Sequence, residues 1–172
     1  MNEVIRAIKE RRSIRSFKKD QVADEQLTAI LEDGEYAASG MGNQVVKAVC
    51  VQDPEIIAQM SRLNAQVMGM DIDPFYGAPT VVVVFGSTQS ATTVEDGSLV
   101  IGNLMLAAFA EGVDSCWIHR AKEVFESEEG KALKAKWGLD DTWVGVGNCI
   151  LGYRDGELPE APARLPGRTI RA

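Results

Sequence analysis

Residues 80–85 read Thr80-Val81-Val82-Val83-Val84-Phe85, an uninterrupted run of β-branched and aromatic residues. Such residues favour strands, and a run without polar alternation is typical of a strand covered on both faces. A loop from Gly69 to Pro79, rich in glycine and proline, precedes it. The run therefore predicts the central strand of a buried sheet.

Helices and strands alternate on both sides of this run, without tight hairpin signals or internal repeats. The pattern predicts one layered domain of helix and sheet over residues 1–172. Further strands are expected at Val45–Val51, Val113–Ile118 and Val144–Tyr153. We expect helices from Val4 to Glu10 or Arg11, from a cap at Asp24 to near Ser39-Gly40, after Asp53-Pro54, from Leu99 to just before Gly112, and at Phe125–Trp137.

Composition narrows the possible functions. The net charge of -7 and the pI near 4.8 argue against nucleic acid as the main partner. The first twenty residues do not read as a signal peptide, and the apolar runs are too short to span a bilayer. Three widely spaced cysteines, each inside a predicted strand, indicate buried, reduced thiols. We therefore expect a soluble cytoplasmic protein that does not act at a membrane.

A basic segment follows the first helix. Arg11-Arg12-Ser13-Ile14-Arg15 places three guanidinium groups and one hydroxyl within five residues, in a chain that is acidic overall. Guanidinium groups bind phosphate oxygens in bidentate geometry, and a hydroxyl can donate to the same oxygens. The segment indicates either a phosphate site or a solvated helix end whose cations oppose the helix dipole.

Two other segments could contribute to a ligand site. Ser39–Gln44 is a glycine-rich turn that could approach a flat polar heterocycle, or an ordinary connection. Ser115–Arg120 ends a strand, where backbone amides leave the ladder and can face a ligand, although His119 itself has no orienting partner in the sequence. Metal-ligand, serine-hydrolase, Rossmann and Walker patterns find no support. The chemistry is therefore expected to depend on a bound cofactor.

Taken in order, these motifs resemble the nitroreductase family of FMN-dependent oxidoreductases. The resemblance rests on the Arg11–Arg15 segment with Phe17, the Ser39–Gln44 turn, the loop Phe75–Pro79 and the segment Val146–Tyr153. It implies an α+β fold with a central, largely antiparallel sheet flanked by helices, assembled as an intertwined homodimer with FMN at the interface. It also implies transfer of two electrons from NADH or NADPH to nitroaromatics, quinones or similar small-molecule acceptors in a ping-pong cycle.

The resemblance also implies which residues bind FMN. Arg11 is expected at the phosphate, Ser13 and Arg15 at the phosphate, ribityl chain or pyrimidine edge, and Arg12 through its main chain. A C-terminal tail, residues 155–172, would extend to the flavin or the partner subunit. The remaining expected FMN contacts are Ser39, Gly40, Asn43 and Gln44, then Asn64, then Trp117, Ile118, His119 and Arg120, and finally Arg164 and Arg168 in the tail.

The sequence departs from the family pattern in four places, one of which is Ala163, where a basic residue is frequent. Gly42 stands where an asparagine is common, Val45-Val46 replaces Pro-Trp, and Asn148 stands where a histidine is frequent. These departures leave an alternative open, a flavin-binding protein of the same fold that is a carrier, a sensor or a flavin-consuming enzyme. The arginines alone would also suit a small-anion or nucleotide-binding regulatory module, and a purely structural dimer is the remaining alternative.

Overall fold

The Thr80–Phe85 run lies at the centre of the protein. The computed structural model describes residues 2–172, and every residue of the strand that contains the run is buried. In chain order the elements are α1 Glu3–Glu10, α2 Asp24–Glu35, β1 Val46–Val51, α3 Pro54–Met68, β2 Thr80–Ser87, α4 Thr93–Ala110, β3 Asp114–Ile118, α5 Ala121–Glu126, α6 Glu128–Lys136 and β4 Trp143–Gly152.

The four strands form one antiparallel sheet in the order β1-β2-β4-β3. β2 pairs with β1 from Val51↔Val81 to Val46↔Gly86, and with β4 over its whole length, with a bulge between Val84 and Phe85. β1 and β3 are the edge strands, and three strand spacings of about 4.8 Å place them roughly 14 Å apart. We call their outer sides the β1 edge and the β3 edge.

Helices cover both faces of the sheet because successive β2 side chains point to opposite sides. Val81, Val83 and Phe85 pack into one core with residues of α3, α5 and α6, whereas Val82 and Val84 pack into a second core with α2 and α4. Full burial of one such side chain is worth about 1.5–3 kcal/mol. The α+β class and the antiparallel sheet flanked by helices are thus confirmed.

The second helix is shorter than predicted. It ends at Glu35 instead of near Ser39-Gly40, and Ala23 is its N-cap, so Asp24 is its first residue. Gly34 lies against Leu104 of α4, where an added Cβ would come within 2.6 Å of a leucine methyl. Gly34 therefore serves the close contact between the helices, and the chain leaves the helix soon after it.

The helix predicted at Phe125–Trp137 is two helices that meet at Ser127. The Ser127 hydroxyl accepts a hydrogen bond from the Gly130 N–H at 3.1 Å and so caps α6. A Cβ on Gly130 would overlap the carbonyl of Val124, so the two helices meet too closely for any larger residue. The serine followed by two glutamates is a helix-start signal, which an unbroken helix prediction overlooks.

Helix α4 is long and apolar enough by composition to cross a membrane, with a mean hydropathy of 1.2. In the fold it packs instead on the sheet, where Ile101, Leu104 and Ala108 are buried against β2 and β4. Its apolar character is explained by its place in the core.

The two edges of the sheet differ in how they are covered. Residues 11–17 run along the β3 edge, with a bridge from Ser13 to Ser115 and a hydrogen bond of 3.0 Å from the Ile14 N–H to the Ser115 carbonyl. The β1 edge carries exposed residues such as Lys47 and Ala48. The candidate functional site lies at the covered edge.

Candidate functional site

Ile14 fixes the basic segment to the β3 edge. Its side chain is 3% exposed and belongs to the core under α3 and α5, while its N–H bonds to Ser115. Residues that alternate with a buried residue in an extended segment point away from the core. Ser13 and Arg15 are therefore presented beside β3.

Arg11 carries an unpaired buried donor. Its Nη1 atom is buried and lacks a hydrogen-bond partner in the described part of the chain. Arg11 lines a cavity of about 360 Å³ together with Ser13, Met105 and Trp117. A buried guanidinium donor without an acceptor is costly, and an anion would satisfy it.

Arg12 has a structural role at the end of α1. Its Nη1 atom donates to the carbonyls of Lys9, at 2.8 Å, and Arg11, at 2.9 Å. These carbonyls lie at the C-terminal end of the helix, where a cation also suits the helix dipole. The Arg12 side chain is therefore a cation at the helix end, as one of the two interpretations of the basic segment predicted. Any ligand contact of Arg12 would be through its main chain.

The residues around the Cys116 thiol show that the basic segment lies close to β3. Burial raises its pKa, while the positive charge of Arg15, a hydrogen bond with Ser13 and the charge of Arg11 lower it by less. Three of the predicted contacts thus surround one strand. The raised pKa keeps this thiol protonated, so it is not a nucleophile at neutral pH.

The end of β3 is held by two buried asparagines. The Asn64 side chain, 0% exposed, donates through Nδ2 to the His119 carbonyl at 2.8 Å, and Asn148 donates to the Ile118 carbonyl at 3.2 Å. The Asn64 Oδ1 atom is buried and has no partner within residues 2–172. Asn64 therefore joins β3 with one end of its amide and leaves the oxygen at the other end unpaired.

Trp117 and Arg120 complete this end of the strand. Trp117 is half exposed, with its ring 5.4 Å from that of His119, and Gly147 leaves room for it because a Cβ there would lie 2.6 Å from Trp117 Nε1. Arg120 has a φ of +74°, in the left-handed region that few non-glycine residues adopt. Strained residues of this kind cluster at functional sites.

The Ser39–Gln44 turn lies elsewhere. It precedes β1, and its short 3₁₀ turn at Gly40–Gly42 is tied to α4 by a hydrogen bond of 2.9 Å from the Gly40 N–H to Asp96. Ser39 and Gln44 line a cavity of about 580 Å³ whose other walls come from α2, α4 and β1. The structure thus places Ser39, Gly40, Asn43 and Gln44 at the β1 edge, away from the residues gathered at β3.

The tail begins near the site and then leaves it. The Asp155 N–H donates to the Ser16 carbonyl at 2.9 Å, and Arg154 pairs with Asp114 at 3.2 Å. Residues 155–172 are exposed throughout, including Arg164 and Arg168. The structure of one chain therefore does not bring these two arginines to the Arg11 cavity.

The sequence prediction placed Ser115 in a candidate segment and noted the departure at Asn148, but counted neither side chain among the FMN contacts. Ser115 is 1% exposed, and its Oγ atom lacks a partner among the described residues, whereas Asn148 is 2% exposed. Both interrupt otherwise apolar strands, and a polar residue predicted to be buried requires a partner. That requirement is the signal that could have identified them.

Comparisons with known proteins agree with the fold and the order of the motifs. A model described as Nitroreductase family matches residues 8–69 and 71–153. A candidate NADH dehydrogenase/NAD(P)H nitroreductase of Archaeoglobus fulgidus is 30% identical over 159 residues, 89% of this chain and 86% of that protein. A nitroreductase of Bacteroides fragilis with bound FMN superposes with a TM-score of 0.92 at 27% identity, covering 100% of both chains. A nitroreductase of Desulfitobacterium hafniense with bound FMN gives 0.85 at 26% identity, covering 99% of this chain and 100% of that one.

Proposed function

This chain belongs to the nitroreductase family, and we propose that it binds FMN and acts as an NAD(P)H-dependent oxidoreductase. The acceptors are nitroaromatics, quinones or similar small molecules, reduced by two electrons in a ping-pong cycle. A relative named as an NAD(P)H nitroreductase and two similar nitroreductase structures with bound FMN support the proposal.

One observation from the chain itself carries the proposal. Within residues 2–172, the buried side-chain polar atoms that lack a partner are Arg11 Nη1, Arg12 Nε, Asn64 Oδ1 and Ser115 Oγ. All four belong to the β3 edge or to residues that contact it. Folded proteins pair almost all such atoms. Because the Arg12 side chain serves the helix end, the other three atoms are the ones that indicate a polar ligand beside β3.

The chemistry of these atoms fits FMN. Arg11 and Ser13 supply donors for a phosphate, and Asn64 Oδ1 supplies an acceptor for a ring N–H. Arg15, which is exposed beside β3, supplies a cation at the polar edge of the ring. Bound FMN supplies the electron chemistry, taking two electrons from the nicotinamide and giving them to the acceptor. The backbone around His119 and Arg120 orients the ring.

A second copy of the chain completes the site. The turn residues predicted to contact FMN lie at the β1 edge, about 14 Å from β3 across the sheet; they are Ser39, Gly40, Asn43 and Gln44. Within one chain, these residues and those at β3 are therefore too far apart to line the same site. In a homodimer the β1 edge of one subunit covers the β3 edge of the other. Apolar residues that are exposed in the single chain suit this interface, namely Val4, Ile5 and Ile8 of α1, Leu99 of α4, and Leu165 and Ile170 of the tail.

The visible spectrum of the purified protein tests the cofactor and the reaction together. We expect stoichiometric FMN, whose absorbance bleaches on anaerobic addition of NADH or NADPH and returns when a quinone is added. A yellow protein that neither nicotinamide bleaches would instead be a flavin carrier or sensor. A colourless protein that does not take up added FMN would overturn the proposal.

Mixed dimers test whether two copies share each site. One parent is Arg11→Ala, which damages the β3 edge, and the other is Ser39→Ala/Gln44→Ala, which damages the β1 edge. If each site combines edges from two subunits, a mixed dimer contains one site with all the damage and one intact site. It should therefore retain about half of the wild-type flavin, more than either parent.

The opposite result is equally clear. If each chain builds its own site, both sites of the mixed dimer are damaged, and its flavin content lies between those of the parents. Differently tagged subunits, coexpressed and purified by both tags, give the required sample. A sample that elutes only as a monomer would overturn the dimer.

A further inference from the structure

Two consecutive peptide units at the end of β3 are fixed by side-chain amides. Asn148 Nδ2 donates to the Ile118 carbonyl and Asn64 Nδ2 to the His119 carbonyl, at 3.2 and 2.8 Å. Both asparagines are almost completely buried on the face of the sheet that α3 covers. An amide in such a place costs free energy unless its hydrogen bonds are made, so these bonds are strongly favoured.

The fixed carbonyls determine where two N–H groups point. In a trans peptide the N–H lies opposite the carbonyl, so fixing the Ile118 carbonyl orients the His119 N–H, and fixing the His119 carbonyl orients the Arg120 N–H. Within residues 2–172, neither N–H donates to a protein acceptor. The two amides therefore direct a pair of free donors away from themselves.

The backbone at this point is strained, which makes the restraint necessary. Arg120 has a φ of +74°, a conformation that is unfavourable for a residue other than glycine. Such a conformation persists only where its surroundings hold it. Asn64 bonds to the carbonyl one residue before Arg120, and Asn148 bonds to the carbonyl two residues before it. Both bonds therefore restrain the backbone that leads into Arg120.

We propose that Asn148 is a positioning residue that aims the His119 N–H at the flavin ring. This inference rests on the proposed FMN function. A donor held in place before reduction stabilises the negative charge that the ring gains, because no reorganisation is needed when the electrons arrive. Asn148 does not itself reach the ring in this account; it acts through the Ile118–His119 peptide.

The test uses Asn148→Leu, which keeps the size of the side chain and removes its donor, with Asn148→Ala in parallel in case leucine does not fit. The matched control is Thr80→Val, which removes a buried hydroxyl that bonds to Gln21 at 2.9 Å near the start of β2. Both changes delete a buried hydrogen bond from a central strand. Only the change at Asn148 touches the end of β3.

Two measurements separate positioning from stability. In protein stripped of FMN, the NMR order parameter of the His119 N–H should fall from about 0.85 in wild type to below about 0.6 in Asn148→Leu and stay unchanged in Thr80→Val. In FMN-loaded protein, the ratio of affinities for reduced and oxidised flavin should fall about tenfold. For a two-electron couple this is about 30 mV towards more negative potential.

The outcomes distinguish the two proposals. Asn148 variants with stoichiometric FMN and an unchanged potential overturn the role of Asn148 alone, as does an equal shift in Thr80→Val. Wild-type protein that binds no FMN overturns the proposed function, and the positioning role falls with it. A lower order parameter together with a lower potential, both absent from the control, supports the inference.

Discussion

The β3 edge and the β1 edge bound the same sheet but are built in opposite ways. The β3 edge is covered by residues 11–17, and the buried unpaired polar atoms lie there. The β1 edge is uncovered in the single chain, and beside it the turn at Met41 and Gln44 has positive φ angles of 53° and 52°. Met41 is 95% exposed.

This difference indicates that the two edges have different roles in the proposed site. The proposed binding groups at β3 are held by the core of their own chain, so their orientation would be set before a ligand arrives. The turn at the β1 edge presents an exposed surface instead, suited to close over a site on another copy. A shared site of this kind makes ligand binding and dimer formation depend on each other.

The largest expected effect is the loss of FMN from Arg11→Ala. Removing charge-assisted hydrogen bonds to a phosphate should cost about 3–4 kcal/mol of binding free energy, a loss of about 100- to 1000-fold in affinity. The matched control is Arg62→Ala, which removes an exposed arginine paired with Glu129 at 2.5 Å on the other side of α3. Fluorescence titration of stripped protein with FMN gives both affinities, and equal affinities would remove Arg11 from the site.

The next effect concerns stability at the two edges. Ile14→Ala should lower the free energy of unfolding by about 2–4 kcal/mol, because Ile14 is buried where the basic segment covers β3. Val46→Ala at the half-buried β1 edge should cost only about 1 kcal/mol. Urea denaturation of FMN-free protein at low concentration measures the free energy of unfolding of both variants. An equally large cost for Val46→Ala would show that another chain covers the β1 edge even without FMN.

The smallest effect is a difference in thiol reactivity. Burial raises the pKa of Cys50, on β1, to about 11 and that of Cys149, on β4, to about 12. Since only an accessible thiolate reacts and Cys149 is also completely buried, raising the pH from 8 to 10 should accelerate alkylation at both, with Cys50 at least about tenfold faster at each pH. Mass spectrometry after timed iodoacetamide treatment gives the rates, and denaturant should abolish the difference. Protection of Cys50 in the native dimer would show that its edge is covered.

Much of the fold could be predicted because its signals are local. The valine run determines a buried strand, and Asp53 caps α3 through hydrogen bonds to the Glu55 and Ile56 N–H groups, as its place before Pro54 suggests. The break at Ser127 was missed although the serine before two glutamates signals a helix start, whereas the early end of α2 has no such local signal. Gly130 lies against the Val124 carbonyl and Gly34 against Leu104, and no pattern within a helix records such contacts.

The sequence alone determined the four strands and most of the helices, the acidic composition, the basic segment and the resemblance to the family. These depend on neighbouring residues and on the order of motifs along the chain. Only the tertiary structure decided that Asn148 and Asn64 hold the end of β3, and that Ser39–Gln44 lies at the opposite edge. In the sheet the strands lie in the order β1-β2-β4-β3, which differs from their order in the chain. Which segments come together therefore depends on the fold and cannot be read from their distance along the sequence.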